Sequence, residues 1–377
     1  MLIFIALATL LTAVIVWVSY RLWQAFKRYT IDQGESPQKS LPSVTVCIPA
    51  RNEMHALAGC LERVLASDYG KLEIIVFDDS SADDTSILIK SFAHAGVRFI
   101  PGPPLPGGWL GKNHAFEVMA DEASGSYILF MEVDTFIKPT TISQLVGYMT
   151  EKSFDMISVI PGRNDAWRLS VLFGHLRYFW QLVLSSAKHP AAASSLWMIR
   201  RSVLMDKIKG FEVFKANVEP ESQIAEFLGN SYQCLVDNDT LGVTYEKKWL
   251  SQVETSRRLL YPLFGHTPLK ALLGLLLLIL LNVPFFTILY GALFEWTMVQ
   301  AMACWVLFAF MAIYGVYVGR LWPRGWWLGG LLWPVVILQE LLLYVSSLWG
   351  YATGTITWKG RPINTSASKG DAIVINK

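Results

Sequence analysis

Charged side chains are scarce in this sequence: Asp, Glu, Lys and Arg make up 16% of the 377 residues, where an ordinary soluble domain carries about 25%. The deficit lies at the two ends, in long apolar runs, and the stretch between them reads as a normal globular domain. Cysteine is scarce as well. Cys47, Cys60, Cys234 and Cys304 are scattered, with no CxxC pair, which argues against a disulfide framework and fits a soluble part facing a reducing cytosol. The six histidines do not cluster, so no zinc site is expected. Neither sign of charge dominates: the net charge is +2 and no basic stripe stands out, so nucleic acid is not an expected partner.

What is abundant is apolar. Residues 2–20 carry no charge and are long enough to cross a bilayer core of roughly 30 Å. Arg21, Lys27 and Arg28 follow, so the positive-inside rule puts that flank in the cytoplasm and the N-terminus outside. Without a charged n-region or a small-residue cleavage site before the basic cluster, residues 1–28 read as an uncleaved anchor rather than a signal peptide. Three more apolar stretches follow late, at 269–293, 296–319 and 326–350, with Trp and Tyr crowding their ends. Asn282-Val283-Pro284 interrupts the first of them, as a kink or a re-entrant turn. Gln339 and Glu340 lie inside the last, where a carboxylate is expected to face protein or a polar cavity. If all three late stretches span, the tail with Lys359 and Arg361 is outside and Arg320 and Arg324 are inside; if the first is re-entrant, those sides swap. The expectation is a multi-pass protein of the cell membrane, with a cytoplasmic domain at 41–262, transmembrane helices at 269–350 and a polar tail at 351–377.

The middle of the chain alternates strands and helices. Short β-branched runs at 43–48, 72–77, 97–100 and 127–131 read as buried parallel strands, with helical spacing at 52–67, 85–95 and 113–123 between them. This order predicts an α/β, doubly wound sheet, in which ligands bind at the carboxyl ends of the strands. The polar motifs fall at those ends: Pro49-Ala50-Arg51, Asp78-Asp79 and Glu132-Val133-Asp134.

These motifs carry a resemblance. Pro49-Ala50-Arg51-Asn52-Glu53 resembles the first-strand motif of the family 2 glycosyltransferases, and Asp78 to Thr85 fits that family's DDxSxDxT pattern at every fixed position. Gly108-Trp109-Leu110-Gly111-Lys112-Asn113-His114-Ala115 resembles the GW-x-GK-x-x-A loop of members acting on lipids. Glu132-Val133-Asp134 stands where the family has its DxD, and Trp358-Lys359-Gly360-Arg361 resembles the tail of members that modify carotenoid acids. The resemblance implies a GT-A (Rossmann-like) nucleotide-sugar fold and an inverting enzyme, membrane-bound, that moves a sugar, glucose above all, from a UDP-sugar to a lipid-like acceptor.

It also implies roles. Pro49, Ala50, Arg51, Glu53, Asp79, Lys112, Glu132 and Arg258 belong to the nucleotide-sugar site. Asp79 would accept from the uracil N–H, its alternative being a helix cap. Lys112, in a Gly-rich loop opening a helix, suits phosphate. Asp134 would bind Mg²⁺ or Mn²⁺, which neutralises the departing diphosphate. Glu132 departs from the family by one methylene. The catalytic base falls in Val218-Glu219-Pro220-Glu221-Ser222-Gln223-Ile224, at Glu221 or, with a slipped register, at Glu219. A carboxylic acid acceptor would be ionised already and need no strong base. Arg257 and Arg258 stand where the family often has QxxRW, as diphosphate contacts or membrane-surface anchors. Residues 165–186, aromatic but too charged to span, read as an amphipathic helix in the membrane interface or a plain core helix. Polymer synthesis and a non-catalytic scaffold are the competing readings; a transporter is disfavoured because no inverted repeat is visible.

Overall fold

The computed structural model describes residues 2–29, 42–164, 171–186, 188–264 and 267–363. They form two compact units: an α/β unit holding 42–164 and 185–246, and a helical unit holding 2–28, 171–184 and 247–363.

The chain opens with α1 (Leu2–Tyr29) of the helical unit. The α/β unit then runs β1 (Val44–Ala50), α2 (Met54–Leu65), β2 (Leu72–Asp78), α3 (Thr85–Ser91), β3 (Val97–Pro101), α4 (Gly111–Glu122) and β4 (Tyr127–Met131), in the order the periodicity predicts. It continues through β5 (Thr135–Phe136), α5 (Thr141–Lys152), β6 (Met156–Ile160) and β7 (Gly162–Arg163). After α6 (Val171–Leu184), which packs in the helical unit, come β8 (Leu196–Arg200), α7 (Pro220–Leu228), β9 (Tyr232–Val236) and β10 (Thr244–Tyr245).

Seven strands make one sheet, in the order β3-β2-β1-β4-β8-β6-β9. All neighbours are parallel except β8, which runs antiparallel to both β4 and β6. Val44, Val46, Cys47 and Ile48 of β1 are fully buried, as a central strand covered on both faces requires, and this is why it reads as an unbroken apolar run. Ala50 faces Asp78 across β1 and β2, and Cys47 faces Phe130 across β1 and β4. That register sends the loops after β1, β2 and β4 off one edge of the sheet. Below that edge Phe130 stacks on Trp197 at 4.3 Å, with Phe116 and Phe211 against both. A second sheet, β5-β10-β7, closes on the chain just after Asp134.

The helical unit continues with α8 (Trp249–Phe264), α9 (Pro268–Leu293), α10 (Met298–Leu321), α11 (Trp326–Leu331), α12 (Trp333–Thr353) and a hairpin of β11 (Thr357–Trp358) and β12 (Arg361–Pro362). Four of its helices are long and apolar enough to cross a membrane: α1, α9, α10 and α12. Leu272, Leu273 and Leu276 of α9, Trp305, Phe308 and Val316 of α10, and Leu342 and Trp349 of α12 each leave half or more of their surface exposed, an apolar girdle suited to lipid rather than water. Pro284 sits inside α9, which remains one helix of 26 residues; the expected interruption at Asn282-Val283-Pro284 is not a re-entrant turn.

The doubling back occurs in the last apolar stretch instead. Trp326 packs beside Gly319, Gly329 against Val318 and Gly330 against Met311, so α11 runs back along α10. Met311 is ten residues from the end of α10, about 15 Å along the helix. There the chain turns at Leu332, and α12 returns antiparallel to α9: Asn282 Nδ2 donates to the Ile337 carbonyl (3.3 Å) and Tyr344 Oη to the Ala271 carbonyl (3.0 Å). Its final turns meet α8, where Ser347 Oγ donates to Arg257 O (2.6 Å) and Tyr351 Oη to Arg258 O (2.8 Å). At the other seam Arg320 lies over the Phe26 ring at 5.5 Å, so α1 and α10 end together.

Two further expectations meet the structure here. Of the stretch 165–186, residues 165–170 and 187 lie outside the described residues. From Leu176 to Val183 every side chain but that of Arg177 is buried, and Phe179 packs on Tyr314, Tyr317 and Trp333. Over this span α6 is a core helix and presents no interfacial apolar face. Glu340, inside α12, is buried within the unit, facing protein as an intramembrane carboxylate should.

Candidate active site

The loops after β1 and β2 are locked together. Asn52 and Ser80 both adopt left-handed backbone, at φ 53° and 55°, a conformation that non-glycine residues keep only where surrounding bonds enforce it. Here the Asn52 N–H donates to Ser81 Oγ (2.9 Å) while Asn52 Oδ1 accepts the Ala82 N–H (2.8 Å). The Glu53 N–H donates to Thr85 Oγ1 (3.0 Å). Arg51 reaches across and donates to the carbonyls of Asp79 (2.5 Å) and Ser80 (3.3 Å).

The acids of the second loop differ in what they do. Asp78 accepts the Ser81 N–H (3.1 Å) and the Ser86 hydroxyl, and Asp83 accepts the Thr85 N–H (3.1 Å) and hydroxyl (2.5 Å). Desolvation works against its charge, but the Thr85 bonds and the Met54 N–H hold the Asp83 carboxyl below its ordinary value. Asp78 and Asp83 therefore build the loop. Asp79 is tied in through its backbone, its N–H donating to Ala50 O (2.8 Å), and its residue is 8% exposed. Gly102, at the end of β3, closes this corner. Its N–H donates to Asp78 O (2.8 Å), and a Cβ there would stand 2.6 Å from that same oxygen.

The third loop carries Gly108 at φ 82° and runs into α4 at Gly111. Lys112 Nζ pairs with Glu132 Oε1 at 2.9 Å, their side chains 11% and 22% exposed, and lies over the Phe116 ring at 5.2 Å. Glu132 also accepts from Ser194 Oγ (3.3 Å), while its N–H donates to Ser195 O (2.9 Å). Two residues on, the Asp134 carbonyl accepts the Glu246 N–H (3.0 Å) from the end of β10. Among the described residues no group of three or more His, Cys, Asp or Glu is placed to hold a metal. A donor set of one or two carboxylates suits a hard ion that arrives with phosphate oxygens and water, as Mg²⁺ does, rather than one held in an all-protein cage.

Glu219 and Glu221 flank Pro220, the first residue of α7. Glu221 is 1% exposed; Glu219 is only partly buried, and its N–H donates to Asn217 Oδ1 (2.8 Å). Sequence reasoning missed what holds this segment. Asn113, next to Lys112, donates to the carbonyls of Phe214 (2.6 Å), Lys215 (3.3 Å) and Asn217 (2.7 Å). The one available signal was an amide side chain directly after the loop lysine.

Pro49, Ala50, Arg51, Glu53, Asp79, Lys112, Glu132, Asp134, Glu219 and Glu221 all lie in the α/β unit, and Arg258 lies in the helical unit. In that unit Arg258 stacks on the Trp358 ring at 4.4 Å, and the Lys359 N–H donates to Glu254 Oε1 (2.7 Å). Two motifs a hundred residues apart in sequence thus meet on α8.

The geometry can be set beside known proteins. A mannosyltransferase from Pyrobaculum calidifontis, PcManGT, solved with GDP-Man and Mn2+, shares the fold at a TM-score of 0.56 over 91% of this chain and 98% of that one, with 18% identity. A UDP-Glc:alpha-D-GlcNAc-diphosphoundecaprenol beta-1,3-glucosyltransferase of Escherichia coli is 32% identical over 29% of this chain and 43% of its own length. The 4,4'-diaponeurosporenoate glycosyltransferase of Staphylococcus aureus is 28% identical over 32% of each. The chain spans less than half the length of these curated relatives. Residues 45–206, the stretch from β1 to just past β8 that carries the loops at this edge of the sheet, match the model of "Glycosyl transferase family 2".

Proposed function

We propose that this protein transfers a sugar from a UDP-sugar to a lipid-like acceptor at a membrane, with inversion at the anomeric carbon. What supports the reading most is the convergence at one sheet edge of the locked Arg51–Asp79 corner, Lys112 at the start of α4, and Asp134. Asp79 would accept from the uracil N–H. Arg51 and Glu53 would border the ribose, and Lys112 would meet the diphosphate as a compact charge at a helix start. Asp134 would hold Mg²⁺ or Mn²⁺, which when bound neutralises charge on the leaving diphosphate. Glu219 is the better-placed base, being partly open where Glu221 is enclosed; it would take the acceptor's proton within about 3 Å. An acceptor that is a carboxylic acid would arrive ionised and bypass that step. Glucose as the sugar and a carotenoid acid as the acceptor are the narrowest form of the proposal, supported by the two relatives' names and the tail motif.

The test is release of UDP from UDP-glucose by the protein in detergent, with Mn²⁺ and a lipid extract containing added carotenoid acid. Release that depends on lipid, metal and Asp134, absent in Asp134→Ala, is the expected result. Release independent of lipid, or a growing sugar polymer, would refute it.

The same reading includes a topology. α1, α9 and α10 cross the membrane, while α11 and α12 enter and leave on one side, which puts the β11–β12 hairpin at the α8 end. With Arg21, Lys27 and Arg28 inside, that end is cytoplasmic. In intact cells a membrane-impermeant maleimide should label Glu295→Cys, between α9 and α10, and not Thr355→Cys; labelling of the second from outside would overturn it.

A further inference from the structure

Asn113, in the first turn of α4, makes three side-chain bonds, and all three partners lie on the segment leading to Glu219. Its residue is 1% exposed. A primary amide has two hydrogens; the bonds to Phe214 O (2.6 Å) and Asn217 O (2.7 Å) use them, with Lys215 O (3.3 Å) sharing one. One turn before, the Leu110 N–H donates to Lys215 O at 2.7 Å. One turn after, Glu117, on the same face of α4 as Asn113, accepts the Phe211 N–H. The first half of α4 thus grips residues 211–217 at four backbone positions. Asn217 then accepts the Glu219 N–H on its side-chain oxygen (2.8 Å). From Lys112, one peptide bond and two hydrogen-bonded steps lead to Glu219.

We propose that Asn113 is a positioning residue. It makes the phosphate-binding lysine and the carboxylate at the start of α7 one rigid piece, so that the donor's diphosphate and the acceptor's proton-taking group keep a fixed separation. The inference rests on the transferase reading above. Asparagine is suited to the post because all its partners are carbonyls. Aspartate would set a carboxylate against three acceptors, and leucine, of like size, would leave buried carbonyls without a donor.

The consequence is a split between binding and turnover. Asn113→Ala leaves Asp79, Lys112 and Asp134 in place, so the Kd for UDP stays within about twofold. Transfer to lipid falls about 100-fold, the scale for a reacting group displaced by about 1 Å. Asn217→Ala, at a partly exposed site, cuts the link at its other end and guards against a folding failure at Asn113. The double variant should be no slower than the slower single one, because both break the same chain of contacts. Losses that multiply in the double variant would overturn the proposal, as would a UDP affinity that falls in step with turnover or an Asn113→Ala enzyme of full activity. If the wild-type protein itself releases no UDP from any nucleotide-sugar, the transferase reading fails instead, and the two failures are distinguishable.

Discussion

Lys112 pairs with Glu132 in this structure and is proposed to meet the diphosphate, so one substitution tests both. In Lys112→Ala the Glu132 carboxylate, 22% exposed and paired at 2.9 Å, loses its cation. A charge-assisted bond of this kind contributes about 1.5–3 kcal/mol, and at about 2–4 °C per kcal/mol for a unit of this size the melting temperature should fall by about 3–12 °C. The same range applied to a lost lysine–phosphate bond predicts UDP binding weaker by roughly 10- to 150-fold. The stranded Glu132 would also repel the diphosphate, so the single variant confounds two effects. Lys112→Ala combined with Glu132→Gln separates them: stability should return to that of Glu132→Gln alone, while UDP affinity recovers only the repulsive part. Melting followed by tryptophan fluorescence and UDP titration by calorimetry, both in detergent, give the two readouts. Full recovery of affinity in the double variant would show that Lys112 is no phosphate ligand. A Lys112→Ala protein that binds UDP within twofold of wild type would refute the reasoning at once.

Other expectations follow from single groups. Asp78→Asn, which disturbs the bonds to Ser81 and Ser86, should lower thermal stability by about 1–2 kcal/mol; Asp79→Asn should leave it nearly unchanged and weaken uridine binding at least tenfold, and the reverse pattern would reassign the two acids. Burial pushes the Asp237 carboxyl up to about 7, against the Val243 N–H that it accepts. With the folded value above an unfolded one near 4, ionisation costs the folded state nothing at low pH, increasingly more from about pH 4 to 7, and its full amount above that. Asp237→Asn should therefore leave the stability near that of wild type at pH 4.5 and raise it at pH 8, by about 1–3 kcal/mol; an equal gain at both pH values would exclude the mechanism. For a hydroxyl acceptor Glu219→Gln should lower kcat by about 10²–10⁴, while Glu221→Gln acts mainly on stability; a Glu219→Gln enzyme of undiminished turnover would move the base to Glu221 or remove it.

The strands and their ends were legible because the sheet is buried on both faces. Val44–Ala50 and Tyr127–Met131 have no solvent side to alternate toward, so they appear as apolar runs that stop where polar loops begin. The register could not be read, nor could β8, which enters antiparallel between β4 and β6 and reads from sequence as an apolar run like theirs. The end of the membrane region was misjudged for a different reason. Asn282-Val283-Pro284 looked like a break, yet a proline inside a packed apolar helix costs little when neighbouring groups satisfy the backbone. The true turn lies at Leu332, between Gly329-Gly330 and Pro334, where the small residues serve close contact with α10 and pattern alone shows only one long hydrophobic run.

Within the site, the part that sequence could not supply is pairing. Lys112 and Glu132 are twenty residues apart on different elements, and nothing in either motif announces that they meet. One trace was visible: glutamate where the family has aspartate. The extra methylene adds reach, and in the structure that reach is spent on Lys112 and Ser194. The longer side chain at 132 carries this acid to Lys112, and Asp134, whose carbonyl accepts the Glu246 N–H beside β10, is the position on which the proposed metal binding depends.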